Sequence, residues 1–159
     1  MTAHPSSRPV LLTRRHALAA TAATALLPTA AAAQSASPES FAAAQQAILA
    51  GRVPVSTGLS LDMPTLSENG NSVDLAIKVD SPMSADDHVA RIHILAEKNP
   101  FPRVATFHIG PRAGRADVAT RIRLAETQTI VVLAETSRGL VHRDSREVIV
   151  ILGACVDGG

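Results

Sequence analysis

The chain has one cysteine, no tryptophan, no tyrosine and three phenylalanines in 159 residues. Each scarcity removes a class of function. A lone cysteine cannot close a disulfide within the chain, so any disulfide must join Cys155 to another molecule. With Phe41, Phe101 and Phe107 as the only aromatics and no basic stripe, there is neither a stacking platform nor a charged track for nucleic acid. A phosphate-cradling glycine loop is also missing. His88, His93, His108 and His142 fall at none of the close spacings of known zinc motifs, and His93 and His108 belong to the polar faces of predicted strands. They read as surface histidines, and neither a metal nor another cofactor is expected.

Nor is there a long hydrophobic run. The segment from Ala17 to Leu27 is too short and too rich in alanine to cross a membrane. It follows Arg8, Arg14 and Arg15 and precedes Pro28 and Ala30-Ala31-Ala32-Ala33, the order of an export signal with its cleavage site. Thr13-Arg14-Arg15-His16-Ala17-Leu18 resembles a twin-arginine signal, which implies export of a protein already folded or already assembled with a partner. Residues 1–33 are therefore expected to be removed, the compartment to be the periplasm, and the mature chain to have no membrane span. Loss of the three arginines leaves 12 basic against 14 acidic residues, a net charge of about −2 with His neutral, on 126 residues. That length suits one domain with a real core.

Within the mature chain, Ser37-Pro38-Glu39 predicts a helix start with Ser37 as N-cap. Phe41, Ala44, Ile48 and Leu49 recur at helical spacing, and Gly51 stands at the expected C-terminal cap. Val53-Pro54-Val55 through Met63-Pro64 reads as an edge strand or extended segment, and Glu68-Asn69-Gly70-Asn71 as a hairpin-type turn. Alternation follows: Val73, Leu75, Ile77 and Val79; then Ala90, Ile92, Ile94 and Ala96; then Ala105, Phe107 and Ile109; then Val118, Ile122 and Leu124. Ile130 to Ala134 predicts a fully buried strand, and Glu147 to Leu152 the last one. Short strands with breakers between them predict an all-β, antiparallel sandwich over residues 34–152, with one short N-terminal helix.

The tail, Gly153-Ala154-Cys155-Val156-Asp157-Gly158-Gly159, is expected to be a flexible, exposed arm over residues 153–159. A nucleophilic thiol needs a base, a cation or a helix N-terminus beside it. Asp157 and the terminal carboxylate instead favour the neutral thiol. Cys155 therefore reads as a residue acted upon, activated by a partner, and fits a covalent carrier better than a catalyst. Arg121 and Arg123 read as a solvated face or as a face that meets a partner.

From the Glu68-Asn69-Gly70 turn onward the chain resembles a known family, the sulfur-oxidation carrier subunit SoxY. The resemblance lies in Glu97 to Phe107, in Thr120 to Gln128, in Ala134 to Gly139, and in the terminal cysteine arm that follows them. It implies an immunoglobulin-like β-sandwich paired with a second β-sandwich subunit, SoxZ. It also implies that Cys155 carries sulfur intermediates between periplasmic enzymes, including a c-type cytochrome that loads the thiol oxidatively. The family's usual ending is Gly-Gly-Cys-Gly-Gly, whereas here Ala154 replaces a glycine and Val156-Asp157 precedes Gly158-Gly159. A stiffer, wider valine and an added charge point to altered handling of the arm. Other readings are a carrier of a different cargo, a non-catalytic β-sandwich binding or structural module that has lost carrier chemistry, and a thiol oxidoreductase. The last lacks a resolving cysteine or a nearby base.

Overall fold

The computed structural model describes residues 39–154. The expected leader, Ser37, Pro38 and the tail from Cys155 onward lie outside them. The helix α1 (Phe41–Leu49) is capped by Ser40, whose hydroxyl accepts the Ala43 N–H at 3.2 Å. Its start thus lies later than the Ser-Pro signal predicts. Glu39 is gripped by both oxygens in the Arg103 guanidinium, at 2.7 and 2.9 Å, which fixes the chain entering the helix. Ala50 forms the C-cap in the left-handed region (φ 48°), and Gly51 continues there.

Among the described residues, eight strands form two sheets. β1 (Leu59–Asp62), β3 (Val73–Val79) and β6 (Ala116–Ile122) make an antiparallel sheet in the order β1-β3-β6. β2 (Leu66–Asn69), β8 (Val141–Leu152), β7 (Gln128–Thr136), β4 (Val89–Ala96) and β5 (Arg103–His108) make the second, in that order. The period-2 pattern produces the sandwich: Val73, Leu75, Ile77 and Val79 meet Ile92, Ile94, Ile130 and Val132 in one core. β7 is buried on both faces because α1 sets Ala44 and Ile48 on its outer side, against Leu95, Val131, Leu133 and Val141.

Two features depart from the sequence reading. The turn at Gly70 is not a hairpin: β2 pairs parallel with β8 (Leu66 opposite Ile149), whereas β3 pairs with β1 and β6. The chain therefore crosses from one sheet to the other there. β8 also begins at Val141, well before Glu147, because its polar first half is held by pairing along β7 rather than by apolar alternation. Two polar side chains of that half close the sandwich. Asp144 accepts the Leu61 N–H at 2.9 Å and Arg146 donates to the Leu61 carbonyl at 3.1 Å, satisfying backbone groups at the edge of β1. Among the described residues, no helix is long and apolar enough to cross a membrane.

Candidate functional site

The candidate site is the root of the cysteine arm. Where β8 ends, three separate segments are tied together by backbone hydrogen bonds. The Gly70 N–H donates to the Leu152 carbonyl at 2.8 Å, the Leu124 N–H to the Gly70 carbonyl at 2.8 Å, and the Ala154 N–H to the Leu124 carbonyl at 2.9 Å. Two glycines make this approach possible. A Cβ on Gly153 would overlap the Ala125 carbonyl oxygen, and one on Gly70 would overlap the Leu124 carbonyl oxygen. Ala154 is buried. Gly153 and Ala154, counted above in the flexible arm, are thus fixed by hydrogen bonding and packing. Cys155, Val156, Asp157, Gly158 and Gly159 lie outside the described residues.

A second layer holds this clasp. Asn99 donates to the Arg123 carbonyl at 2.9 Å and accepts from the Ala125 N–H at 3.0 Å and from Gln128 at 2.9 Å. Gln128, itself buried, accepts the Lys98 N–H at 2.9 Å. Thr127 accepts the Val150 N–H at 3.0 Å, steadying the last turns of pairing on β8. Two of the segments that carry the family resemblance, Glu97 to Phe107 and Thr120 to Gln128, therefore converge on the arm root. Sequence reasoning singled out both stretches but assigned no role to Gln128 or to the Asn99 side chain, and read Gly70 only as part of a hairpin-type turn. A buried amide pair bridging distant loops has no periodicity to reveal it.

The third segment, Ala134 to Gly139, serves the opposite end of the sheet. There Glu135 accepts from Arg52 at 2.6 Å and from Arg91 at 3.1 Å, and from His93 Nε2 at 2.8 Å. His93 Nδ1 lies 3.0 Å from the Thr106 hydroxyl. A neutral imidazole with its proton on Nε2 satisfies both contacts. His93 is buried, at 7% exposure, and so is not the surface histidine expected; α1 covers the sheet face that alternation alone marks as polar. Burial pushes its pKa down, and the charges of Arg91 and Arg103 add to this, outweighing the opposing pull of Glu135. Burial also pushes the Glu135 carboxyl up, but hydrogen bonds from Arg52 and His93 and the charges of Arg91 and Arg52 together hold it below the usual carboxylate range. Arg52 also donates to the Leu49 and Ile48 carbonyls, so this network fastens the helix C-terminus to the sheet.

Arg121 pairs with Asp74 at 2.6 Å, both exposed, in an open groove of about 540 Å³ on the outer face of the three-stranded sheet, floored by Ala76 and Ala119. No group of three or more His, Cys, Asp or Glu side chains is placed to hold a metal among the described residues.

Residues 45–155 match the family model described as sulfur oxidation protein SoxY. The structure is similar to that of the sulfur carrier protein SoxY from Chlorobium limicola f. thiosulfatophilum, with 31% identity and a TM-score of 0.56, covering 70% of this chain and 98% of that one. A superoxide reductase (neelaredoxin) from Ignicoccus hospitalis shares the fold alone, at 14% identity and a TM-score of 0.51, over 58% of this chain and 79% of its own. No curated protein matches the sequence.

Proposed function

Because this chain belongs to the SoxY family of sulfur-oxidation proteins, we propose that it is a periplasmic carrier that holds a thiosulfate-derived sulfur group covalently on Cys155. It presents that group to partner enzymes while paired with a SoxZ-like subunit. It catalyses nothing itself. A c-type cytochrome takes two electrons as the Cys155 sulfur bonds to the sulfane sulfur of thiosulfate and the thiol proton leaves; other enzymes then oxidise or hydrolyse the attached group. The observation that carries this reading is the convergence of the two family segments on a clasp that holds Ala154, the residue directly before the one cysteine of the chain. A structural frame has no evident need for such a root. Export by the twin-arginine-type signal in residues 1–33 delivers the folded carrier and lets a partner without its own signal travel with it.

Val156 and Asp157 favour one second reading, a β-sandwich module that keeps the partner interface and has lost the carrier chemistry. Mass spectrometry of the C-terminal peptide from chain isolated under thiosulfate-dependent growth separates the two. A reductant-sensitive sulfur adduct on Cys155, absent in Cys155→Ser with pairing intact, is the expected result. A Cys155 that stays unmodified, and growth indifferent to deletion of residues 154–159, would sink the carrier reading.

A further inference from the structure

Beside the Glu135 network lies a cavity of about 240 Å³, walled on one side by α1 and on the other by side chains of β4, β5 and β7. Three guanidiniums, those of Arg52, Arg91 and Arg103, line it against a single carboxylate, Glu135. Arginine keeps its charge under all ordinary conditions. Even when Glu39 is included, held by Arg103 just beyond the lining, three positive charges face two negative ones while His93 is neutral. The cavity is short of negative charge.

The hydrogen bonds locate the surplus. Arg52 is fully engaged, donating to the Leu49 and Ile48 carbonyls and to Glu135. Glu135 is engaged as well, since its two oxygens already accept from Arg52, Arg91 and His93. Arg91 turns only Nε and Nη2 to Glu135, at 3.1 and 3.4 Å, and Arg103 turns Nε and Nη2 to Glu39, at 2.7 and 2.9 Å. Among the described residues, the Nη1 group of each has no acceptor. Both side chains are partly open, at 49% and 40% exposure, so an acceptor can arrive from solvent. Register places them around one ring: Arg91 lies two positions before His93 on β4, and Arg103 stands opposite Leu95, two positions after it. Burial first, and then the charges of both arginines, hold the His93 pKa below its ordinary value, so both charges converge on the same ring. Two cations that share a small cavity, each with a donor to spare and no carboxylate left to accept it, suit an anion with several oxygens. We propose that this cavity binds a small tetrahedral oxyanion between the Nη1 groups of Arg91 and Arg103. Sulfate, thiosulfate and phosphate share that chemistry. The bound anion supplies the missing counter-charge and ties β4 to β5 beside α1. The site makes no use of Cys155, so it stands or falls separately from the carrier reading.

Full-length chain with its bound subunit is titrated at neutral pH with sodium sulfate, sodium thiosulfate and sodium phosphate in turn, against sodium chloride at matched ionic strength. Calorimetry gives the affinity and thermal unfolding the stabilisation. At least one oxyanion is expected to bind saturably, one per chain, and to raise the melting temperature beyond what chloride does. Which of the three binds most tightly identifies the natural ligand's source. Arg91→Gln and Arg103→Gln are each expected to weaken binding by at least about tenfold. Arg91→Lys, which keeps the charge and loses the fork, is expected to weaken it less than Arg91→Gln. Arg91→Gln leaves Glu135 paired with Arg52 and His93, so circular dichroism is expected to show an unchanged fold. Arg103→Gln reads the same site without touching Glu135. Arg121→Gln, which removes an exposed arginine from the other sheet, is expected to leave the affinity unchanged. Stabilisation that chloride reproduces overturns the proposal, because general screening then accounts for it. Saturable binding that survives both Arg91→Gln and Arg103→Gln overturns it too, as does an equal loss in Arg121→Gln.

Discussion

Gly153 occupies a position where the smallest side chain would enter the Ala125 carbonyl. The obstacle is backbone, which cannot swing aside as a flexible side chain would, so the strand end itself must move. Gly153→Ala is expected to cost about 1–3 kcal/mol in urea unfolding and to speed hydrogen exchange at the Ala154 amide, whose acceptor on Leu124 would be displaced. If exchange there is unchanged, the clasp does not depend on this glycine. In the sequence the same residue reads as freedom at a chain end. In the fold its lack of a Cβ permits a close approach. Glycine's two uses, conformational range and small size, leave the same letter in a sequence, and only the neighbours distinguish them.

At the scale of elements, α1 is joined to the sheet by Ile48 and Ala44 and by the network of Arg52, Glu135, Arg91 and His93. The network makes the attachment sensitive to acid. The folded pKa of His93 lies below its ordinary 6.5, so below about pH 6.5 the unfolded chain takes up a proton that the folded chain refuses. Stability is therefore present at neutral pH and declines as pH falls from 6.5 through the folded value. Glu135, held below its ordinary 4.5, adds a second decline of the same sign as pH falls below 4.5. The melting temperature followed from neutral to acid pH is expected to show both limbs. His93→Gln, which keeps a donor for Glu135, is expected to remove the first and leave the second. A variant that tracks the wild type down to pH 4.5 would show that His93 does not couple to the fold. Helix α1 itself was legible from the spacing of Phe41, Ala44, Ile48 and Leu49, but not the face it would cover. That is why His93, polar and alternating, read as solvated.

For the molecule as a whole, the carrier reading requires an exported chain. Replacing Arg14 and Arg15 together by lysine keeps the charge while removing the guanidinium pair. Cell fractionation with intact-mass measurement is expected to find the double variant as an unprocessed precursor inside the cytoplasm, with its partner subunit retained beside it. Processed chain outside the inner membrane would instead mean a different export route. By itself the sequence determined the all-β sandwich, because strand alternation is a local pattern repeated many times and each repeat points the same side chains inward. It also marked the stretches Glu97 to Phe107 and Thr120 to Gln128. Only the tertiary structure decided what they surround: the crossing at Gly70, the parallel pairing of β2 with β8, the Asn99–Gln128 bridge and the pinning of Ala154. Each joins residues far apart in the chain through single hydrogen bonds or close backbone contacts, and such contacts impose no period on the sequence from which they could be read.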